Sequence, residues 1–245
     1  MPTRSREATR WIFVSGSPKL KRRLNLPRLE VVYFLTDPAR RIPEIVEGKA
    51  DMECGSTTNT AERRQQVSFT GPHYLSGARY LVRSDSAISH LPDFQRKRLA
   101  GTRGTVELKA IERASKERLL YIDIVEVPDH AKAVEMVEAG EVDGFAMADV
   151  LLYGLRSNRP NPDKLKVVGK LLTIDPIAIM FNKDDLELKG IIDAEMKRLI
   201  HGREAHAIYE KWFMQPIPPR NVPLNMPMNY LLNDFWKYPS DQGPF

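Results

Sequence analysis

The stretch Gly55-Ser56-Thr57-Thr58-Asn59-Thr60-Ala61-Glu62-Arg63 holds the densest set of groups able to grip an anion. It combines hydroxyls at the end of a short apolar run, the backbone amides of a loop, and an arginine five residues beyond Thr58. A planar guanidinium meets a carboxylate with two parallel charge-assisted hydrogen bonds, so Arg63, with the hydroxyls and loop amides before it, could converge on an anion such as a carboxylate. The same residues also read as a Ser/Thr helix cap followed by a surface arginine, and composition alone favours that second reading.

Other chemistry is thinly provided. Cys54 is alone, so an intramolecular disulfide and a cysteine zinc site are both excluded. His73, His90, His130, His201 and His206 form no H-E-x-x-H pattern, and the chain holds neither a G-x-S-x-G elbow nor a phosphate-binding G-x-x-x-x-G-K-[ST] loop. Nothing in these patterns announces catalysis, and none calls for a cofactor. Among 245 residues, 37 Lys+Arg stand against 32 Asp+Glu, a net charge of +5 spread along the chain. The nearest basic run, Lys19-Leu20-Lys21-Arg22-Arg23, reads as a solvated helix face, so no nucleic-acid partner is expected. No run approaches the roughly 18 apolar residues of a membrane helix. Trp11-Ile12-Phe13-Val14 is too short for a signal-peptide core. Neither a transmembrane protein nor an intact secretory precursor is expected.

The candidate residues need elements to position them, and the chain alternates strands with helices. Strands are expected at Leu29 to Leu35, Ala50 to Cys54, Lys97 to Thr102, Ile122 to Val127, Val142 to Met147, Leu165 to Val168 and Ile177 to Phe181. Helices are expected at Pro43 to Glu47, Val106 to Leu119, Ala131 to Glu138 with Asp129 as N-cap and Gly140 as stop, and Val150 to Arg156. Leu186 to Ile200 and Arg203 to Phe213 read as two further helices, and the Pro-rich tail from Pro216 to Pro227 as irregular chain. Such alternation implies βαβ units and parallel sheets. The segments Ile42 to Asp51 and Val134 to Asp143 share one pattern: helix, glycine, charged residue, small apolar residue, Asp, strand. Two similar halves, each with a polar strand end, suggest two lobes; ordinary likeness between βα units is the other explanation.

The run Glu53 to Arg63 resembles the signature of periplasmic glutamate/aspartate-binding proteins, solute receptors of ABC transporters with a two-lobed type II fold. The likeness extends through Leu24-Asn25-Leu26-Pro27, Arg41-Ile42-Pro43, Lys183-Asp184-Asp185, Lys211-Trp212-Phe213 and Pro216 to Asn221. It thus runs from about Leu20 to the C-terminal tail. The resemblance implies an α/β fold with lobe one built from residues 1–81 and 173–245 and lobe two from 82–172, joined by two crossover strands. It implies a periplasmic receptor, not an enzyme, that closes around an acidic amino acid and presents it to a membrane ABC permease. Carried over residue by residue, Arg63 clamps the α-carboxylate beside Ser56 and Thr58, and Arg41 lies in the side-chain-carboxylate region. Thr102 and Thr105 belong to a Thr-rich turn at a helix N-terminus that favours an anion. His130 approaches the distal carboxylate, although by itself it reads as a solvated histidine at a helix start.

Departures from the family pattern accompany the match. Met1 to Ser17 does not resemble the family's first strand, which is therefore expected to be truncated, and an arginine it normally supplies is absent. Where the family has two adjacent acids, this chain has Ala148-Asp149, so the acid that meets the ligand ammonium falls on Ala148, with Asp149 left as a partial substitute. Val106 replaces a ligand-facing Thr, and Ile179 stands where some members carry a partner for Cys54. Rival readings are a degenerate receptor or one with altered, dicarboxylate specificity, a dehydratase on the same fold, and the effector domain of a transcriptional regulator.

Overall fold

A computed structural model describes residues 32–218 and 221–240. The expectations for Met1 to Ser17, Lys19 to Arg23, the Leu24 to Pro27 motif and the first residues of the Leu29 to Leu35 strand lie outside the described residues. The chain divides into two units, residues 1–75 with 176–245 and residues 76–175. It passes from one to the other in two short strands that pair with each other.

In the first unit, residues 32–37 form no strand, and Val32, Tyr33, Phe34 and Leu35 are exposed. This corrects the strand expected at Leu29 to Leu35 over its described residues, 32–35. β-propensity measures how a side chain packs on a sheet surface, and no described strand lies alongside to supply one. Helix α1 (Arg41–Val46) follows, then β1 (Met52–Glu53), α2 (Ala61–Arg64), β2 (Val67–Phe69) and β3 (Tyr74–Ser76), which crosses to the second unit.

The second unit opens with β4 (Ala78–Arg83) and continues through β5 (Arg98–Thr102), α3 (Val106–Glu117), β6 (Asp123–Val127), α4 (His130–Ala139), β7 (Gly144–Ala148), α5 (Asp149–Ser157) and β8 (Leu165–Val168). Its five strands lie in the order β6-β5-β7-β4-β8. β5 runs parallel to β6 and β7, and β4 antiparallel to β7 and β8. The carboxyl ends of β5, β6 and β7 therefore share one edge, where Thr102, His130 and Asp149 lie. β4 pairs wholly within this sheet, and the units divide at 75/76 and 175/176, where the resemblance implies 81/82 and 172/173.

Local sequence explains the helices that frame that edge. Thr105 caps α3 by accepting from Leu108 N, and Leu108, Ile111 and Ala114 turn inward. Asp129 caps α4 by accepting from Lys132 N at 2.9 Å, and Gly140 ends it at φ 71°, a conformation that costs a glycine little. The core collects Tyr80, Val82, Leu91, Phe94, Leu99 and Ile111. Each such side chain contributes about 1.5–3 kcal/mol by burial.

Returning to the first unit, the chain forms β9 (Asp175–Ile177), β10 (Met180–Asn182), α6 (Leu186–His201), α7 (Glu204–Tyr209) and α8 (Tyr230–Lys237). β10 lies antiparallel between β1 and β2, so the described sheet here is antiparallel rather than parallel as expected. The single strand expected at Ile177 to Phe181 is two, β9 and β10, each with its own partner. The helix expected at Arg203 to Phe213 is α7 followed by a π-turn over Glu210–Met214. Ile45, Val67, Phe69, Ala178 and Met180 form this unit's core.

Candidate functional site

In the first unit the chain leaves β1 and turns back on the backbone around β9. Asn59 N donates to Pro176 O at 2.7 Å, Ala178 N to Thr57 O at 3.1 Å, and Thr58 forms a lone bridge with Ile177. Thr57 Oγ1 donates to Glu53 Oε2 at 2.6 Å, which ties the loop to β1. These bonds bury Thr57, Thr58 and Asn59 and aim the following turn. Thr60 then caps α2 by accepting from Arg63 N at 3.2 Å, so the helix-cap reading of this stretch is correct. The surface-arginine half of that reading is not. Arg63 is only 8% exposed, and its Nη1 donates to Thr58 O at 2.9 Å. A cap and a buried guanidinium thus occupy the same nine residues, and the cap positions the guanidinium.

The other candidates of this unit are Ser56 and Arg41. Ser56 is half-buried in the same loop. Arg41 is buried at the start of α1, its side chain 6% exposed. Continuing the β1–β10 register, in which Glu53 faces Met180, sets Cys54 opposite the buried Ile179. Cys54 is a free thiol.

In the second unit three candidates are joined by hydrogen bonds. Thr105 Oγ1 donates to Thr102 O at 2.7 Å, and Thr102 Oγ1 lies 2.8 Å from His130 Nδ1. Thr102 and Thr105 are buried, at 0% and 2% exposure. The half-buried His130 ring also packs near Phe145, with centroids 6.2 Å apart. Gly104, at φ 76°, makes the turn between the two threonines possible.

Asp149, the first residue of α5, belongs to a separate cluster. Its Oδ1 accepts from Ser76 Oγ at 2.6 Å and from Val150 N at 2.7 Å. Burial raises its carboxyl above the ordinary aspartate value, while the Ser76 and Val150 bonds and the nearby Arg79 oppose the rise. Ala148, the last residue of β7, is 1% exposed and pairs with Ala78.

Several contributors escaped the sequence. Ser76 lies 73 residues from its partner Asp149, and Thr57 and Asn59 shape the Arg63 loop through bonds to Ala178 and Pro176 that no short motif encodes. His73 is buried with no hydrogen-bond partner for Nδ1, and burial lowers it from 6.5 to about 4. A cavity of about 270 Å³ in the first unit, between Gly71-Pro72, α6 and α8, is lined by none of the predicted site residues. Among the described residues no group of three or more His, Cys, Asp or Glu is placed to hold a metal ion, and no helix is long and apolar enough to cross a membrane.

Comparison with known proteins bears on this arrangement. The L-glutamate/L-aspartate-binding protein of Pseudomonas aeruginosa is 34% identical over 224 residues, which are 91% of this chain and 74% of that protein. The glutamate/aspartate import solute-binding protein of Salmonella typhimurium is 31% identical over the same shares. Among solved structures, an ancestral arginine-binding protein bound to arginine matches with a TM-score of 0.72 at 22% identity, over 82% of this chain and 87% of that one. That likeness establishes the expected fold, the α/β type II periplasmic-binding architecture. The relatives named here are binding proteins and not enzymes. Residues 18–215 match the bacterial extracellular solute-binding proteins, family 3, and the chain belongs to that family.

Proposed function

We propose that this protein is a periplasmic receptor for glutamate or aspartate that binds its ligand without converting it and hands it to the membrane permease of an ABC importer. The observation that carries the reading is Arg63. An arginine is seldom this buried without a purpose for its charge, and here the Thr58 carbonyl holds it at a loop shaped by three backbone and side-chain ties. Its fork suits the α-carboxylate, with the Ser56 and Thr58 loop beside it. Arg41, buried at the start of α1, is assigned to the side-chain carboxylate region. In the second unit His130, held by the Thr102–Thr105 turn, is assigned to the distal carboxylate. The identities of 34% and 31% to glutamate/aspartate-binding proteins support the same ligand class.

A narrower reading is favoured by one observation. Ala148 offers a methyl group where an ammonium would need a carboxylate, and the adjacent Asp149 already accepts from Ser76 and Val150. A ligand ammonium is therefore less well served than its carboxylates, and dicarboxylates without an amino group become competitors.

Thermal unfolding in the presence of glutamate, aspartate, 2-oxoglutarate and arginine tests both readings. A ligand at a hundredfold excess over Kd stabilises by about 2.7 kcal/mol. Glutamate or aspartate should raise Tm and arginine should not. Stabilisation by arginine alone, or by none of the four, would refute the acidic-ligand reading. Delivery is tested separately, by ligand-dependent stimulation of the cognate permease's ATP hydrolysis in vesicles.

A further inference from the structure

We propose that Thr102 is a positioning residue for His130, and that its hydroxyl decides which ring nitrogen carries the hydrogen. Thr102 closes β5 with a side chain that is 0% exposed. Among the described residues its Oγ1 meets one hydrogen-bond partner, His130 Nδ1 at 2.8 Å. A hydroxyl carries one hydrogen, and a buried donor without an acceptor loses its hydration with nothing in return. If Nδ1 carried the ring hydrogen, it would donate to Oγ1 and leave the hydroxyl hydrogen buried with no acceptor. If Oγ1 donates to the Nδ1 lone pair, one bond satisfies both groups. The neutral ring therefore holds its hydrogen on Nε2.

The threonine is itself held in place. Its carbonyl accepts from Thr105 Oγ1 at 2.7 Å, and Thr105 caps α3 by accepting from Leu108 N. The chain Leu108–Thr105–Thr102–His130 thus runs from a helix cap to an imidazole, and Phe145 flanks the ring. The consequence for recognition rests on the acidic-ligand reading above. An Nε2–H presents a donor, so it suits a carboxylate or amide oxygen and opposes an ammonium, and the imidazole needs no charge of its own to do so. Thr102 then acts on the ligand through His130.

The tautomer is measurable without any ligand. Long-range ¹H–¹⁵N correlation on histidine-labelled protein at pH 8, with His130 assigned through His130→Gln, should show Nδ1 unprotonated and Nε2 protonated. Thr102→Val keeps the side chain's shape but removes the hydroxyl, and should give a mixture of tautomers. Thr102→Ser should restore the original pattern. An Nδ1–H pattern in the unmodified protein overturns the proposal whether or not any variant folds, and so does a pattern unchanged in a folded Thr102→Val. Glutamate titration separates the two levels. Affinity should fall about tenfold in Thr102→Val and recover in Thr102→Ser. If the tautomers behave as stated but no form binds glutamate, the receptor reading fails while the role of Thr102 stands. If glutamate binds to a protein with Nδ1–H, the role of Thr102 fails and the receptor reading stands.

Discussion

In the first unit the candidate site is organised around Arg63, a permanently charged guanidinium tied to the Thr58 carbonyl and 8% exposed. In the second it is organised around a hydrogen-bonded chain, the Thr105 and Thr102 hydroxyls and the His130 ring, linked at 2.7 and 2.8 Å. The carboxylate nearby, Asp149, is engaged with Ser76 and Val150. A buried charge supplies attraction that does not vary with pH, because a guanidinium does not titrate. Neutral hydrogen bonds supply less attraction, but they discriminate donors from acceptors by geometry. On the proposed reading, the first unit supplies chiefly affinity and the second chiefly selectivity.

The largest test of that division is Arg63→Ala. Truncating a buried charged partner costs about 2–5 kcal/mol, so glutamate affinity should fall by at least about thirtyfold in calorimetry while circular dichroism stays unchanged. Arg63→Lys should recover little, since a point charge lacks the fork. An unchanged Kd in Arg63→Ala would remove the anchor from the first unit and dissolve the contrast.

Acid should separate the units next. Burial lowers His73 from 6.5 to about 4, so the unfolded chain takes up its proton first as pH falls. The stability this residue preserves is complete above pH 6.5 and is lost progressively down to about pH 4, a total of about 3 kcal/mol. His206, also in the first unit, is lowered by its burial and by Arg203 and acts in the same direction. Asp149, in the second unit, has the opposite sign. Its carboxyl is raised by burial, so the folded state takes the proton before the unfolded chain does, and mild acid relieves a cost present at neutral pH. Hydrogen exchange at pH 7 and pH 4.5 should show protection falling faster in the first unit, and His73→Leu should flatten its loss. Equal losses in both units would contradict the assignment.

The Ala148→Asp substitution sharpens the selectivity half. Supplying a carboxylate should favour glutamate over 2-oxoglutarate by about tenfold or more, corresponding to about 1.5–3 kcal/mol for a charged hydrogen bond. An unchanged ratio of the two affinities would mean that the ammonium is held elsewhere. The smallest effect expected is that of Thr60→Ala. Loss of the α2 cap should cost about 1 kcal/mol and lower Tm by about 2–4 °C, with a modest loss of affinity as Arg63 loosens. A loss of affinity as large as that of Arg63→Ala would show that the cap, and not the charge, dominates.

Much of the second unit was legible in the sequence. The strand expected at Ile122 to Val127 is β6, and the helix with Asp129 as cap and Gly140 as stop is α4, because cap, apolar face and terminator all lie within a dozen residues. The strand at Leu165 to Val168 matches β8. By contrast, β2, β3 and β4 were not anticipated. They fall in a stretch with no helix period, and β4 is placed by β7 and β8, far away in the chain. The segment at 32–35 has the residues of a strand but, among the described residues, no neighbour that would make it one. Among the candidate residues, types and order were readable. Pairings were not, as with Thr102 to His130 across 28 residues and Asp149 to Ser76 across 73.

The sequence alone determined the helix caps, the α/β alternation and the presence of an arginine five residues beyond Thr58, since each depends on residues close together in the chain. Tertiary structure decided that Arg63 is buried and not on the surface, that Asp149 is occupied by a serine, that Thr102 faces a histidine ring, and that the first unit's described sheet is antiparallel. Burial and hydrogen-bond partnership are relations between distant segments. A local pattern states which groups a residue can offer, and only the packed fold determines what meets them.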